Sequence, residues 1–301
     1  MDVGEDEWKS QRASTAYSRW LGEELRQLRG ARKPAAIAAR LGWSISRLAK
    51  LENGSRGTAD VELGALLGLY GADAATRERL VRMSRDPRPD GFVCVHADRP
   101  ADDVLPLVLH ERLAVAISHY SPLVVPAPLQ SEDYARAVLA GRRQAGAPEA
   151  TLTARIDRRS RVEGTPAEFF VDEWTLTPRG HDPGVLADQV MYLRLVANAP
   201  TTSVRVVPAG SAVAPAVDHP FSIFTLERPL RSVVCVEMHA VTGFVERDSG
   251  VETYARLRDL LAGAALSPEG SRRFLEEVSD WYERGGTTPW PGAAVLGRPA
   301  A

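Results

Sequence analysis

The side chains best suited to recognition chemistry lie together in one short stretch. Ser46, Arg47 and Lys50 share one side of it. Apolar residues recur at three-residue spacing on the other side: Ile45, Leu48 and Leu51. That spacing predicts a helix with one apolar face and one small, polar and basic face. A guanidinium can donate two parallel hydrogen bonds to guanine, and a serine hydroxyl can contact a phosphate or a base edge. The chemistry that the stretch offers is therefore the binding of nucleic acid.

A tight turn precedes this helix and joins it to a second short helix. Gly42 ends the first helix, Pro34 to Leu41, because glycine tolerates a sharp change in backbone direction. Ser44 can cap the next helix by accepting a hydrogen bond from a backbone N–H. We expect Trp43 to pack within the turn, and Glu52 to fix the loop that follows. This arrangement predicts a helix-turn-helix, whose second helix enters the major groove of DNA.

A set of DNA-contacting residues is predicted on and beside the second helix. Its members are Arg40, Ser44, Ile45, Ser46, Arg47, Lys50 and Arg56. Ile45, Leu48 and Leu51 are expected in the core, with Ile45 partly able to face a thymine methyl group. Arg56 is expected to touch phosphate, whereas Arg40 is equally consistent with a surface salt bridge. The competing interpretation of the set is the solvated face of a small helix.

Charge is distributed unevenly along the chain. The formal net charge of the 301 residues is −2, which excludes a protein that binds nucleic acid through overall positive charge. Between Ser18 and Asp60, however, nine Lys and Arg residues stand against four acidic residues. This local excess of five positive charges surrounds the predicted helix-turn-helix, where phosphate contacts require it.

Residue patterns typical of enzymes do not occur in the sequence. The six histidines are scattered, and there is no His-Glu-x-x-His, Gly-x-Ser-x-Gly or phosphate-binding glycine loop. Asp172 and Glu173 are adjacent at the end of a predicted strand; neighbours in a strand point to opposite faces, so the two residues do not form a catalytic pair. Five aromatic residues are expected in the core, with a ligand pocket as the alternative: Phe169, Phe170, Trp174, Phe221 and Phe224. We therefore predict no enzyme, no catalytic residue, no metal ion and no cofactor.

The chain is long enough for two domains. The predicted order is a flexible N-terminus (1–16), a five-helix DNA-binding domain (17–84), a linker (85–102), an α+β regulatory or interaction domain (103–283) and a flexible tail (284–301). The linker is placed where two prolines, a glycine and alternating charges occur without an apolar residue.

The second domain is predicted to be α+β with a small sheet. A helix is expected over 104–119, followed by an extended stretch with three prolines to Gln130. Strands are expected over 169–172, 203–207, 221–226, 232–238 and 243–245. Further helices are expected over 132–140, 148–161, 185–198, 251–264 and 268–282.

The compartment is expected to be the cytoplasm. The first ten residues are acidic and lack the apolar core of a signal peptide. No apolar run approaches the roughly 20 residues that span a bilayer. Cys94 and Cys235 are expected to be buried thiols in a reducing environment, because two cysteines alone make no zinc site.

The chain resembles a family of regulators at both ends. The first domain resembles the Xre/Cro-type, λ-repressor-like helix-turn-helix at Ala38, Gly42, Ser44, Leu48, Leu51 and Glu52-Asn53-Gly54. The second resembles an uncharacterised domain of actinobacterial, antitoxin-like transcriptional regulators. The residues that carry this likeness lie in the segments 120–139, 169–176, 203–208, 219–227 and 257–278. Many such regulators are encoded beside a small partner protein, so the resemblance implies one here.

One feature departs from the resemblance. The family pattern has a Ser/Thr-Gln pair, preceded by glycine, at the start of the second helix. Here residues 31–36 read Ala-Arg-Lys-Pro-Ala-Ala, about two residues shorter and without the glutamine that reaches DNA. The turn and the recognition helix are intact, which keeps DNA binding as the leading expectation.

Three functions remain open from the sequence. The first is a sequence-specific, homodimeric DNA-binding transcriptional regulator whose C-terminal domain senses a ligand or small partner protein. Its two recognition helices are expected to read half-sites roughly 34 Å apart. The second is an antitoxin-like protein-interaction scaffold with vestigial DNA binding. The third is a divergent enzyme in the C-terminal domain.

Overall fold

The computed structural model describes six segments of the chain: 14–86, 90–96, 100–142, 148–177, 182–211 and 217–286. It divides into two compact units. The first comprises Met1–Phe92, Arg228–Arg231 and Phe244–Arg247, and the second comprises the remaining residues. The predicted flexible ends (1–16 and 284–301) and the predicted linker (85–102) lie largely or partly outside the described residues. The flexible ends stay predictions, whereas the described part of the linker contains a strand, Gly91–Val95.

Five helices build the N-terminal domain, as the sequence predicts. They are α1 (Ala16–Arg29), α2 (Pro34–Leu41), α3 (Ile45–Glu52), α4 (Asp60–Tyr70) and α5 (Ala74–Arg85). Their apolar faces meet in one core, where six leucines are fully buried: Leu25, Leu48, Leu63, Leu66, Leu67 and Leu80. Burial of these side chains is the main force that holds such short helices together, since isolated helices of this length are marginal in water.

Local signals fix where these helices begin. Thr15 and Ser18 form a reciprocal capping box at the start of α1. Pro34 occupies the first position of α2, where its missing N–H costs nothing. Ser44 caps α3, and Asp73 caps α5 by accepting a hydrogen bond from the Thr76 N–H.

The C-terminal domain is built on a seven-stranded mixed sheet. Its strands are β1 (Gly91–Val95), β2 (Ala114–Ser121), β3 (Ala167–Asp172), β4 (Thr202–Val207), β5 (Phe221–Leu226), β6 (Val233–Glu237) and β7 (Val241–Val245). The order across the sheet is β1-β7-β6-β5-β2-β3-β4. The pairs β2–β3 and β3–β4 are parallel, whereas β2–β5 and β5–β6 are antiparallel.

Six helices accompany this sheet. They are α6 (Leu105–Leu113), α7 (Glu132–Arg142), α8 (Pro148–Val162), α9 (Pro183–Val196), α10 (Asp248–Ala264) and α11 (Pro268–Glu283). The last five agree with the predicted helices to within a few residues. In the described part of the chain, no helix is long and apolar enough to cross a membrane.

The predicted helix over 104–119 is wrong in its second half. Helix α6 ends at Leu113, and the next residues form the central strand β2. Val115 and Ile117 are β-branched and favour a strand, but a continuous apolar run does not by itself distinguish a strand from a helix. Strand β1 is a second difference, because it lies in the predicted linker. The sheet is therefore larger than the five strands predicted.

A buried cluster of charges forms part of the domain interior. Arg158 is fully buried and donates hydrogen bonds to Glu111, to Asp102 (3.1 Å) and to both carboxylate oxygens of Glu237 (2.6 and 2.9 Å). Arg155 donates to Asp102 at 2.6 Å. Each arginine of this cluster is matched by carboxylates, which offsets the cost of burying charge.

Candidate nucleic-acid interface

The turn between α2 and α3 is set by backbone geometry. Gly42 adopts a left-handed conformation (φ +66°), and its N–H donates back into the end of α2. The Trp43 N–H then donates to the Ala38 carbonyl at 2.8 Å. Ser44 Oγ accepts a hydrogen bond from the Arg47 N–H at 3.1 Å, which starts α3. These contacts produce the tight turn that the sequence predicts.

Close backbone packing holds α3 against α1. A Cβ atom at Gly22 would lie 2.2 Å from the Glu52 carbonyl oxygen, so only glycine fits there. Gly54 has φ +68°, and a Cβ atom there would lie 2.5 Å from the Arg19 backbone nitrogen. Ser18 Oγ donates to the Gly54 carbonyl at 2.7 Å. Helix α3 is thus fixed at its C-terminal end by contacts that leave little freedom.

Glu52 supports the same end of α3. Its carboxylate accepts hydrogen bonds from Arg29 at 2.8 and 3.2 Å and from the Tyr70 hydroxyl at 3.3 Å. From the sequence, Glu52 is expected to fix the loop that follows α3. In the structure its side chain ties α3 to α1 and α4 instead.

The face of α3 opposite Leu48 and Leu51 is open to solvent. Its exposed residues are Ile45, Ser46, Ala49 and Lys50. Leu48 and Leu51 are buried as predicted, but the expectation of a core position for Ile45 is wrong, because its side chain is 55% exposed. Ile45 is the first residue of α3. Its exposure is compatible with the apolar contact to a thymine methyl that the sequence suggests.

The eight Lys and Arg residues between positions 26 and 56 fall into two groups. Arg26, Arg29 and Arg47 form ion pairs with Glu23, Glu52 and Glu62. A second group has no carboxylate partner among the described residues: Arg32, Lys33, Arg40, Lys50 and Arg56. The salt-bridge alternative for Arg40 therefore has no support within the described residues. Within the part of the chain that the structure describes, these cations can meet phosphates without first breaking an ion pair.

Arg47 differs from the other predicted contact residues. Its Nη2 lies 2.5 Å from a Glu62 carboxylate oxygen, and its guanidinium carbon lies 4.3 Å from the centre of the Trp43 ring. Thr58 Oγ1 also donates to Glu62 at 2.9 Å. Burial opposes ionisation of Glu62, but the hydrogen bonds from Arg47 and Thr58 hold its pKa below the usual range. Trp43 thus packs in the turn, as predicted, and also covers one face of this guanidinium.

Glu62 is the residue that the sequence patterns miss. It lies in the first turn of α4, 15 positions after Arg47. No helical or strand spacing connects two residues so far apart, and only the packing of α3 against α4 brings them together.

Known families match both parts of the chain. Residues 20–80 match the model of a helix-turn-helix domain. Residues 104–277, more than half of the chain, match the model described as "Domain of unknown function (DUF5753)". The chain belongs to the DUF5753 family. This confirms a helix-turn-helix unit followed by a C-terminal domain of unknown function. No curated protein matches the chain.

The side chains of the DUF5753 domain that were weighed for chemistry have structural partners. Asp172 ends β3 and accepts a hydrogen bond from the Trp174 N–H at 3.0 Å. Glu173 accepts one from the Ala209 N–H at 2.7 Å. The premise that these two residues share a strand is wrong, because Glu173 begins a short 3-10 helix. Both carboxylates are engaged by backbone groups in separate places.

The aromatic residues of the DUF5753 domain mostly pack in its core. Four of the five weighed for a pocket are buried: Phe169, Phe170, Phe221 and Phe224. Trp174 is exposed instead. Among the described residues, no group of three or more His, Cys, Asp or Glu side chains has a geometry suited to a metal ion. His181 lies outside the described residues.

Proposed function

We propose that this protein is a sequence-specific DNA-binding transcriptional regulator. The observation that supports it best is the exposed face of α3, which carries small and polar side chains together with Lys50, a cation without a carboxylate partner in the described residues. Such a face suits the major groove, where base edges are read by short polar and basic side chains.

The proposal divides the contact residues by chemistry. Lys50, Arg40 and Arg56 supply charge to phosphates, which gives affinity without sequence preference. Ser44 and Ser46 contact base edges or phosphates, and Ile45 meets a thymine methyl. Arg47 faces a base.

The assembly we propose is a cytoplasmic homodimer of the Xre and antitoxin-like type. Two copies of α3 would then read half-sites roughly 34 Å apart. The DUF5753 domain mediates dimerisation or senses a small ligand or a small partner protein, and the proposal assigns it no catalytic residue.

The proposal is tested by selecting duplex DNA from a randomised pool with the full-length protein. Binding of the selected duplex is then measured by gel shift. Arg47→Ala combined with Lys50→Ala is expected to abolish the shift. The matched control is Arg82→Ala combined with Arg77→Ala, which removes two cations from α5. Retained binding by the α3 double variant overturns the contact assignment.

A second function is favoured by one observation. At the start of α2, Ala35 and Ala36 are exposed where the resemblance expects a polar side chain that reaches DNA. This favours an antitoxin-like interaction scaffold with vestigial DNA binding. Failure of the full-length protein to enrich any duplex at low salt would support it over the regulator.

A further inference from the structure

Arg47 is held by three parts of the helix-turn-helix unit. It belongs to α3, its guanidinium lies over Trp43 in the turn, and its Nη2 is paired with Glu62 at the start of α4. Glu62 is itself fixed by the Thr58 hydroxyl at 2.9 Å. A long side chain that normally samples many rotamers is therefore restrained before any ligand arrives.

The contact with Glu62 changes what Arg47 can contribute to DNA binding. A carboxylate at 2.5 Å largely cancels its charge, so this arginine adds little to the release of counterions from phosphates. Lys50, Arg40 and Arg56 have no such partner among the described residues. Salt dependence should therefore come from cations of this kind and not from Arg47.

Arg47 nevertheless keeps hydrogen-bond donors that Glu62 does not engage. A guanidinium has five N–H donors in a planar fork, and the pairing with Glu62 engages Nη2 alone. About a quarter of the Arg47 side chain is exposed. The remaining donors are enough for a bidentate contact with guanine, which needs two.

We propose that Glu62 is a specificity-determining residue, which holds the Arg47 guanidinium for guanine readout and prevents it from binding phosphate. This inference rests on the proposed DNA-binding function. Glu62 acts through Arg47, so it is a positioning residue with no DNA contact of its own required.

The test uses the full-length protein and the duplex selected from the randomised pool. Binding to that duplex, to single-base variants of it and to an unrelated duplex is measured by fluorescence anisotropy between 50 and 300 mM KCl. The variants are Glu62→Gln, Arg47→Lys and Lys50→Ala. Glu78→Gln is the matched control, because Glu78 pairs with Arg82 on α5 and lies outside this cluster. Thermal unfolding checks that each variant is folded.

Glu62→Gln removes the negative charge beside Arg47, so the positive charge of Arg47 is expected to become available to phosphates. Affinity for the unrelated duplex should rise, and the slope of log K against log salt should steepen by about 0.9, the value for one added phosphate contact. Discrimination at one guanine should fall roughly 5- to 150-fold, the range for one bidentate pair. Arg47→Lys keeps the charge beside Glu62 but lacks the fork, so it should lose the same discrimination with an unchanged slope.

The other outcomes overturn the inference in distinguishable ways. If the wild-type protein enriches no duplex, the proposed function fails and the inference fails with it. If the wild type binds but Glu62→Gln behaves as Glu78→Gln does, Glu62 does not control specificity. If Arg47→Lys keeps the guanine preference, Arg47 serves only to join α3 to α4. Lys50→Ala should flatten the salt slope by about 0.9, which calibrates the assay.

Discussion

Arg40 and Arg56 of the helix-turn-helix unit and Arg158 of the DUF5753 domain are placed in opposite environments. In the helix-turn-helix unit, Arg40 is exposed and Arg56 is half-buried, and neither has a carboxylate partner in the described residues. In the DUF5753 interior, Arg158 contacts three carboxylates and is shielded from water. The positive charges of Arg40 and Arg56 are available to a ligand, whereas the charge of Arg158 is neutralised by carboxylates within the fold. The same residue type therefore supplies a candidate ligand contact at one place and a structural ion pair at another.

The largest effect is expected from breaking the buried cluster. Arg158→Met would leave Glu111, Asp102 and Glu237 without their shared partner, and an uncompensated buried charge costs about 3–5 kcal/mol of unfolding free energy. Arg136→Met is the control, because Arg136 is exposed and pairs with the surface carboxylates of Glu132 and Glu149, a kind of pair worth at most about 1 kcal/mol. Chemical denaturation measures both. Equal effects would show that the buried cluster contributes no more than a surface pair.

A second test concerns the packing that presents α3. Gly22→Ala places a Cβ atom against the Glu52 carbonyl and should destabilise the helix-turn-helix unit by about 3 kcal/mol, the upper end for overpacking. Gly64→Ala is the matched control, since it also lies within a helix but meets no atom within 4 Å. That variant should stabilise the protein by up to about 1 kcal/mol. The prediction is wrong if the two variants unfold at the same temperature.

A buried histidine that interacts with Arg158 predicts a dependence of stability on pH. His119 lies 2.7 Å from the Ser222 hydroxyl, and burial, with a further contribution from Arg158, lowers its pKa to about 4. Between about pH 6.5 and 4, His119 is then protonated in the unfolded state but neutral in the folded state. Stability is therefore lost as pH falls through this window, by an amount of order 3 kcal/mol.

Replacement of His119 should remove this loss. His119→Gln keeps a polar side chain near Ser222 but does not titrate. The difference in unfolding free energy between variant and wild type should change between pH 6.5 and 4 and stay constant above pH 7. A difference that is independent of pH would contradict a neutral, buried His119.

The smallest effect on stability is expected at Ile45. Because its side chain is more than half exposed, Ile45→Ala should change the unfolding free energy by less than about 0.5 kcal/mol. Leu48→Ala, one turn further and fully buried, should cost about 2–5 kcal/mol. Thermal melts of the two variants distinguish the faces of α3. A large loss of stability in the Ile45→Ala variant would show that the Ile45 side chain packs in the core.

The elements of the N-terminal domain were accessible from the sequence because their signals are local. Ser44 caps α3, Gly42 takes the left-handed turn, and leucines at helical spacing mark the buried faces. Strand β2 was not accessible in this way. Its residues continue the apolar pattern of α6, and it becomes a strand because it has β3 and β5 as partners on either side.

By itself, the sequence determined that a basic, polar helix follows a tight turn, and that an α+β domain comes after it. Only the tertiary structure decided which cations are available. Lys50 has no carboxylate partner among the described residues, whereas Arg47 meets Glu62 and Arg158 meets residues from three separate segments. The reason is physical: helix periodicity and capping act between near neighbours, but ion pairing depends on which distant segments pack together.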